Sequence, residues 1–380
     1  MFPDGVWTAI RLIYAVSTNT AMLVFVRAWS QMMPTHSYFF SMSFAIGFIP
    51  VYGILLLFVR YGMKKPVAVL DAPWPMIKQS IFLGLTFAFN AWGMSTSAVY
   101  IQGPVMVILS QLPLALAAIF SALVFRRRYS WLAWFGVLMV ITGTVVQATA
   151  PGQVAGSMTF KWCVVFFFGN LPIALWAPTL EGFHKAKHPL DGQTNTMELR
   201  MMWTNFFLIL WLLVFIPFYG WLDQPPFESF WDDYQAAWDC VFQGTANPAY
   251  FWDDCQRAGW VITLAVPIAA LQVHSQIVLS RGETGLFATL ALTLAPFLGD
   301  LFFPYAAVMG PYADPVSEWD ALAAVICFFG VLLFGVAELK ARRSDASYAN
   351  VDQSAMVRWF SDTEVPQCLR PCRRFLEPDL

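Results

Sequence analysis

The sequence predicts an all-α membrane protein of ten transmembrane helices arranged as a 5+5 inverted repeat. Composition identifies the solvent, because 58% of the residues are hydrophobic and 12% charged, against about 25% charged in soluble domains. Ten apolar runs are each long enough to cross a hydrocarbon core about 30 Å thick. Basic residues fall in every second loop between these runs, as an even number of spans requires. The fourth and ninth runs also resemble one another across a shift of 183 residues.

The runs lie at about 6–27, 37–59, 77–99, 103–125, 131–149, 158–180, 199–222, 259–280, 284–307 and 318–338. About five residues precede the first, so insertion is expected to start with that helix rather than with a cleaved signal or transit peptide. One set of loops holds Arg60, Lys64, Lys65 and Lys78, then Arg126 to Arg128, then Lys185, Lys187 and Arg200, then Arg281, then the tail from Lys340 to Arg374. The opposite loops hold Arg257 and an acidic run from Asp223 through Glu228, Asp232, Asp233 and Asp239 to Asp253 and Asp254. The positive-inside rule therefore puts the basic loops and both termini in the cytosol. Residues 1–150 form the first five-helix repeat and 151–340 the second, with an outer loop at 223–258 and a cytosolic tail at 341–380.

Shifting GPVMVILSQLPLALAAIFSALVF (103–125) onto GLFATLALTLAPFLGDLFF (285–303) puts Ser110 on Thr293 and Pro113 on Pro296. A mid-helix proline frees a carbonyl one turn earlier, which a hydroxyl three residues upstream can satisfy in a dry environment. Each run is entered through a glycine turn, Gly103 or Gly282 to Gly285, and is followed by a helix opening near Trp131 or Trp319. Five spans per half force the halves into opposite orientations, the symmetry that many secondary transporters use for alternating access. Chance likeness between two leucine-rich helices is the competing explanation.

Polar side chains inside spans are functional candidates, since lipid makes them costly. Asp300 follows Pro296 and shares a face with Thr289 and Thr293, so it is a candidate proton carrier; an acid that only reaches the headgroups is the alternative. His274, between Gln272 and Gln276, is the second proton candidate, because imidazole titrates near physiological pH. A structural, hydrogen-bonded histidine is its alternative. Asn19, Asn90, Ser95, Ser110, Gln111, Asn170, Gln276, Thr289 and Thr293 are expected on the wall of a substrate cavity. Uncharged donors and acceptors suit a zwitterionic or weakly charged solute, whereas hydrogen bonds between helices explain any one of them equally well.

In FESFWDDYQAAWDCVF (227–242) the aromatic residues recur at helical spacing with acids between them. This predicts an amphipathic helix on the outer membrane surface, aromatic face down. It leads to Cys240 and then Cys255, on the side where oxidation is allowed, so a disulfide holding a lid in shape is expected. Two free thiols in a flexible loop are the alternative. Cys163 and Cys327 read as packing residues, and Cys368 and Cys372 as palmitoylation sites or as reduced thiols in a tail. His184 and His188 have the spacing of a metal pair, but the intervening Lys185 and Lys187 and the cytosolic loop position favour headgroup contact, and no metal site is assigned. There is no phosphate loop, no H-E-x-x-H and no dinucleotide fingerprint, so the sequence supports neither ATP-driven transport nor an enzyme, and no cofactor or nucleic-acid partner is expected.

The string AVYIQGPVMVILSQLPLALAAIFSALVFRRRYSWLAWFG (98–136) resembles the third-to-fifth-span signature of chloroquine-resistance-transporter-like proteins, a family of the drug/metabolite transporter superfamily. The resemblance covers most of residues 8–340, including Asn19, the Gly103–Pro104 turn and the aromatic outer loop with its cysteines. It implies a ten-helix carrier that moves amino acids, small peptides, glutathione-like thiols or cationic drugs across an organelle membrane, often with protons. A vacuolar or other endomembrane is expected here: nothing reads as a plastid transit peptide, and the acidic outer face with its expected disulfide suits a vacuole, or equally the cell exterior. Glu181, at the end of the sixth span, resembles an acid that family members keep there and is a candidate gate; a solvated helix end is the alternative. The family's outer loop commonly carries four cysteines in two disulfides, whereas this loop carries Cys240 and Cys255.

Two competing functions follow. A nucleotide-sugar or sugar-phosphate carrier needs cations deep in its cavity, yet Arg11, Arg27 and Lys161 all fall near span ends. A channel or receptor belongs to a different class; ten spans argue against a seven-helix receptor, and slow saturable flux separates a carrier from a channel. The partners expected are a small solute, protons and the bilayer, with the oligomeric state left open by the sequence.

Overall fold

The computed structural model describes residues 4–62, 64, 74–124, 128–149, 157–175, 197–221, 230–245, 253–282, 294–295, 297–299, 302, 304 and 316–344. Helix α1 spans Asp4–Met32, α2 Ser37–Leu57, α3 Trp74–Ser97, α4 Gly103–Leu109, α5 Leu112–Val124 and α6 Trp131–Thr149. They are followed by α7 at Ser157–Asn170, α8 at Met197–Trp221, α9 at Phe230–Gln243, α10 at Cys255–Gly282 and α11 at Glu318–Ser344. A π-helical turn, Phe58–Gly62, extends α2. No strand occurs among the described residues.

Among the described residues, six stretches are long and apolar enough to cross a membrane: Trp7–Met32, Ser37–Gly62, Gly103–Leu123, Leu199–Tyr219, Cys255–Ser275 and Glu318–Glu338. Trp131–Gln147 and Phe160–Leu175 are shorter apolar helices. Helix α3 is long, but Lys78, Gln79, Asn90 and the run Ser95, Thr96, Ser97 dilute its apolar character. The protein wears its apolar side chains outward, with Trp131, Leu123, Ile54, Phe58 and Ile13 all largely exposed. In water such a surface would be a large uncovered apolar patch; in lipid it is the solvated face.

The run expected as one helix at 103–125 is two. Pro113 cannot donate to the carbonyl of Leu109, and its ring crowds that carbonyl, so the ladder breaks at Ser110 and Gln111. Side chains take over the orphaned acceptors near the break: Ser110 Oγ and Gln111 Nε2 both donate to the Val107 carbonyl, at 2.6 and 3.2 Å. The counterpart run at 284–307 lies mostly outside the described residues; 294–295, 297–299 and 302 are helical.

Helices α6 and α11 form the most intimate pair, because glycines let their backbones meet. A Cβ on Gly136 would sit 2.6 Å from the Gly330 carbonyl, and one on Gly330 would sit 2.8 Å from the Gly136 carbonyl. At the start of α11, Ser317 and Asp320 cap each other, the Asp320 N–H donating to Ser317 Oγ at 3.2 Å and the Ser317 N–H to Asp320 Oδ2 at 2.6 Å. Gln147 Nε2 of α6 donates to the same buried carboxylate, joining the two helices. Elsewhere α3 packs against α8 and α7, α2 against α8 and α10, and α1 against α10.

Candidate functional site

Two seams gather several of the polar residues of the bundle. Along the first, α1 and α10 run antiparallel: the Asp254 N–H donates to the Met32 carbonyl at 2.8 Å at one end, and Tyr14 meets His274 toward the other. Three rungs cross it. Gln272 Nε2 donates to Asn19 Oδ1 at 2.6 Å, the hydroxyls of Thr18 and Ser275 lie 2.9 Å apart, and the Tyr14 hydroxyl lies 3.3 Å from His274 Nδ1. Asn19 also donates to the Ala15 carbonyl at 2.6 Å and is buried, so both ends of its amide are engaged. Thr20 donates to the Ala295 carbonyl at 3.0 Å and ties α1 to the segment just before Pro296.

Along the second seam, between α3 and α7, Asn90 Nδ2 donates to Asn170 Oδ1 at 3.1 Å, and Asn170 Nδ2 to the Phe166 carbonyl at 2.9 Å. One turn on, the backbones touch: a Cβ on Gly93 would sit 2.5 Å from the Gly169 Cα. Ser95 faces α2 instead, accepting from Ser41 at 3.0 Å. At the break between α4 and α5, Gln111 is fully buried and its Oε1 has no hydrogen-bond partner among the described residues. A buried amide oxygen without a donor is costly, which marks the break as a polar point awaiting one.

Beyond the spans, α9 carries three faces. Ala237, Cys240 and Val241 are buried against the bundle, with Tyr234 half-buried beside them; Trp231, Trp238 and Phe242 project outward; Asp232 and Gln243 are exposed on the third face. The expected single downward aromatic face is thus split, because Tyr234 packs on Phe39 at 5.0 Å while Trp238 stacks with Phe242 at 4.3 Å. Burial pushes the Tyr234 phenol above its ordinary range, opposed in part by a hydrogen bond with Ser43. The Cys240–Cys255 disulfide is formed and joins α9 to the first residue of α10. Beside it, Asp253 reaches the turn between α1 and α2, where Thr35 donates to it at 2.9 Å and His36 Nε2 lies 3.2 Å from Oδ2, both partners of the ion pair almost fully buried.

Hydropathy and spacing had singled out neither this clasp nor Tyr14, Thr18, Thr20, Gln272 and Ser275 as a set. The signal was present as polar residues three and four apart on otherwise apolar helices. Arg27, expected near a span end, is buried and donates to the carbonyls of Ala98 and Ile101 at 2.7 and 2.9 Å, in the turn that follows α3. Cys327 is buried with Sγ 3.5 Å from the Val140 carbonyl, and Cys163 is half-buried. Glu181, Thr289, Thr293 and Asp300 lie outside the described residues, as do His184, His188, Cys368 and Cys372, and the Gln276 side chain is outside them too. Among the described residues no group of three or more His, Cys, Asp or Glu is placed to hold a metal.

A family model described as CRT-like, chloroquine-resistance transporter-like, matches residues 9–334. The chain belongs to the CRT-like family. This CRT-like chain is similar to the chloroquine resistance transporter of Toxoplasma gondii, at 22% identity over 86% of this chain and 38% of that protein. It is similar to Crt homolog 3 of Dictyostelium discoideum at 23% identity, covering 77% of this chain and 66% of that one, and to Crt homolog 1 at 20%, covering 87% and 74%. The chain therefore spans well under half the length of the first relative and about two thirds of the second. A solved crystal structure covers 90% of this chain and 99% of its own with a TM-score of 0.54 at 18% identity, and shows a shared fold. Family and apolar helices together make the CRT-like chain a multi-pass membrane protein of a transporter family.

Proposed function

We propose that this CRT-like chain is a secondary active carrier that moves small solutes across an intracellular, vacuolar membrane by alternating access coupled to protons. Amino acids, small peptides, glutathione-like thiols and cationic drugs are the solute classes, and both termini face the cytosol. The observation that carries the reading is how the helices pair. Taking α1 to α6 as one five-span half and α7, α8, α10, the 294–302 segment and α11 as the other, exchanging the halves maps the α1–α10 contact onto α7–α3, and α3–α8 onto α10–α2. The α2–α8 and α6–α11 contacts map onto themselves. Such exchange is what an inverted repeat requires, and the two polar seams become counterparts.

In this reading Asn19, Asn90, Ser95, Ser110, Gln111, Asn170, Gln276, Thr289 and Thr293 belong to the solute pathway, His274 and Asp300 carry protons, and Glu181 gates the cytosolic mouth. Uncharged amides and hydroxyls complement a zwitterion. They offer nothing to neutralise a phosphate, and Arg27 is already engaged with the Ala98 and Ile101 carbonyls. Counterflow in proteoliposomes decides the matter, with arginine, glutathione and a nucleotide sugar as competing probes. Saturable arginine or glutathione exchange that responds to a pH gradient is expected. Exchange of the nucleotide sugar alone would overturn the assignment, and flux that does not saturate would replace the carrier with a channel.

A further inference from the structure

We infer that Tyr14 is a positioning residue for His274, and that the bond between them is a link between α1 and α10 whose direction reverses when the imidazole gains a proton; the inference deepens the proton-coupled reading and rests on it. The Tyr14 hydroxyl lies 3.3 Å from Nδ1, with the rings edge to face at 6.1 Å between centroids. Of the two possible directions, chemistry selects one. A phenol is a better donor than acceptor and an unprotonated imidazole nitrogen a better acceptor than a phenol oxygen, so in the neutral pair Tyr14 donates and the ring proton sits on Nε2. Only one basic site then remains, Nδ1, and Tyr14 covers it.

An incoming proton from water in the pathway must therefore land on Nδ1, and it does so as the Tyr14 hydroxyl rotates. The O–H of Tyr14 turns away, Nδ1–H forms, and the phenol oxygen becomes the acceptor of a charge-assisted bond. No covalent bond other than Nδ1–H is made, and the phenol keeps its proton, now directed at water or at an acceptor on the solute. Protonation of His274 and presentation of a donor to the solute thus occur together. Helices α1 and α2, which pack against α10, carry Arg11, Tyr14 and Tyr52 among their titratable side chains, and Tyr14 is the one whose hydroxyl reaches the imidazole among the described hydrogen bonds. The neighbouring rungs at Thr18–Ser275 and Asn19–Gln272 cross the same seam and do not touch the imidazole in the described hydrogen bonds.

Ring nitrogen chemical shifts test this in the full chain, labelled on its 4 histidines and placed in nanodiscs, with His274→Gln identifying the resonance. Neutral His274 is expected as the Nε2–H tautomer, and Tyr14→Phe should lower the ratio of that tautomer to the other by about fivefold, the value of one ordinary hydrogen bond. Thr18→Ala, which alters an adjacent rung, should leave the ratio alone. An Nδ1–H tautomer in the parent protein overturns the inference without any variant having to fold, and so does a ratio that Tyr14→Phe leaves unchanged. Proton coupling is read separately: if arginine counterflow by His274→Gln keeps the parent's pH dependence while the tautomer result holds, the coupling role falls and the Tyr14 bridge stands.

Discussion

Between α1 and α10 the contact is made by side chains reaching across, three rungs within two turns, whereas between α3 and α7 the backbones themselves meet at Gly93 and Gly169 beside one asparagine pair. The difference is mechanical. Hydrogen bonds between helices in lipid contribute about 0.6 kcal/mol each on average, so rungs can part and re-form during a transport cycle. Glycines at van der Waals contact leave no side chain to adjust, which suits a pivot rather than a gate. The α1–α10 seam is moreover latched at the end where the disulfide, the His36–Asp253 pair and the Met32–Asp254 bond converge.

The sharpest way to break the comparison is to lock the seam said to move. Thr18→Cys with Ser275→Cys, whose hydroxyls are 2.9 Å apart, should cross-link under oxidation and stop counterflow, with recovery in reductant. Undiminished exchange in the locked protein would place the motion elsewhere. Next comes the latch: His36→Ala strands a buried carboxylate and should cost about 3–5 kcal/mol, seen as a large fall in melting temperature that Asp253→Ala reproduces. Melting like the parent would mean the pair is solvated. At the pivot, Gly93→Leu drives a side chain into backbone only 2.5 Å from its Cβ and should cost about 3 kcal/mol, whereas Gly53→Leu, with open space around it, should cost far less.

Reduction of Cys240–Cys255 should also lower stability by about 3 kcal/mol on the chain-entropy account, and should loosen α9 without altering the α3–α7 contact. Accelerated hydrogen exchange confined to 230–243 is the expected signature; exchange spread evenly over α3 and α7 would contradict it. The smallest effect belongs to a single rung. A double-mutant cycle of Asn19→Ala and Gln272→Ala should return a coupling of about 0.6 kcal/mol, and a coupling of several times that would make the seam too stiff for the role given to it.

Much of this architecture was legible before any coordinates. The ends of α2 with its π turn, α6 and α8 fall within three residues of the runs read from hydropathy. The amphipathic helix at Phe230–Gln243 follows from aromatic spacing, and its disulfide from the side of the membrane on which Cys240 and Cys255 were placed. These features are local, so composition within about twenty residues suffices to reveal them. The break at Ser110 was only half visible: Pro113 announced a disturbed ladder, but that Gln111 would turn inward with an oxygen unpaired among the described residues depends on which helices surround it.

What the sequence determined by itself was the solvent, the all-helical membrane class, the alternation of loop charge and the family resemblance, because hydropathy and charge act residue by residue against lipid and water. What only the tertiary structure decided was who meets whom. Asn19 finds Gln272 across 253 residues, Thr35 finds Asp253 across 218, and Arg27 finds the Ala98 carbonyl across 71. Each is a polar group that lipid forbids to stand alone, and its need for a partner could be read from the chain. The partner itself could not, since hydrogen bonds reach about 3 Å and only packing brings distant segments that close.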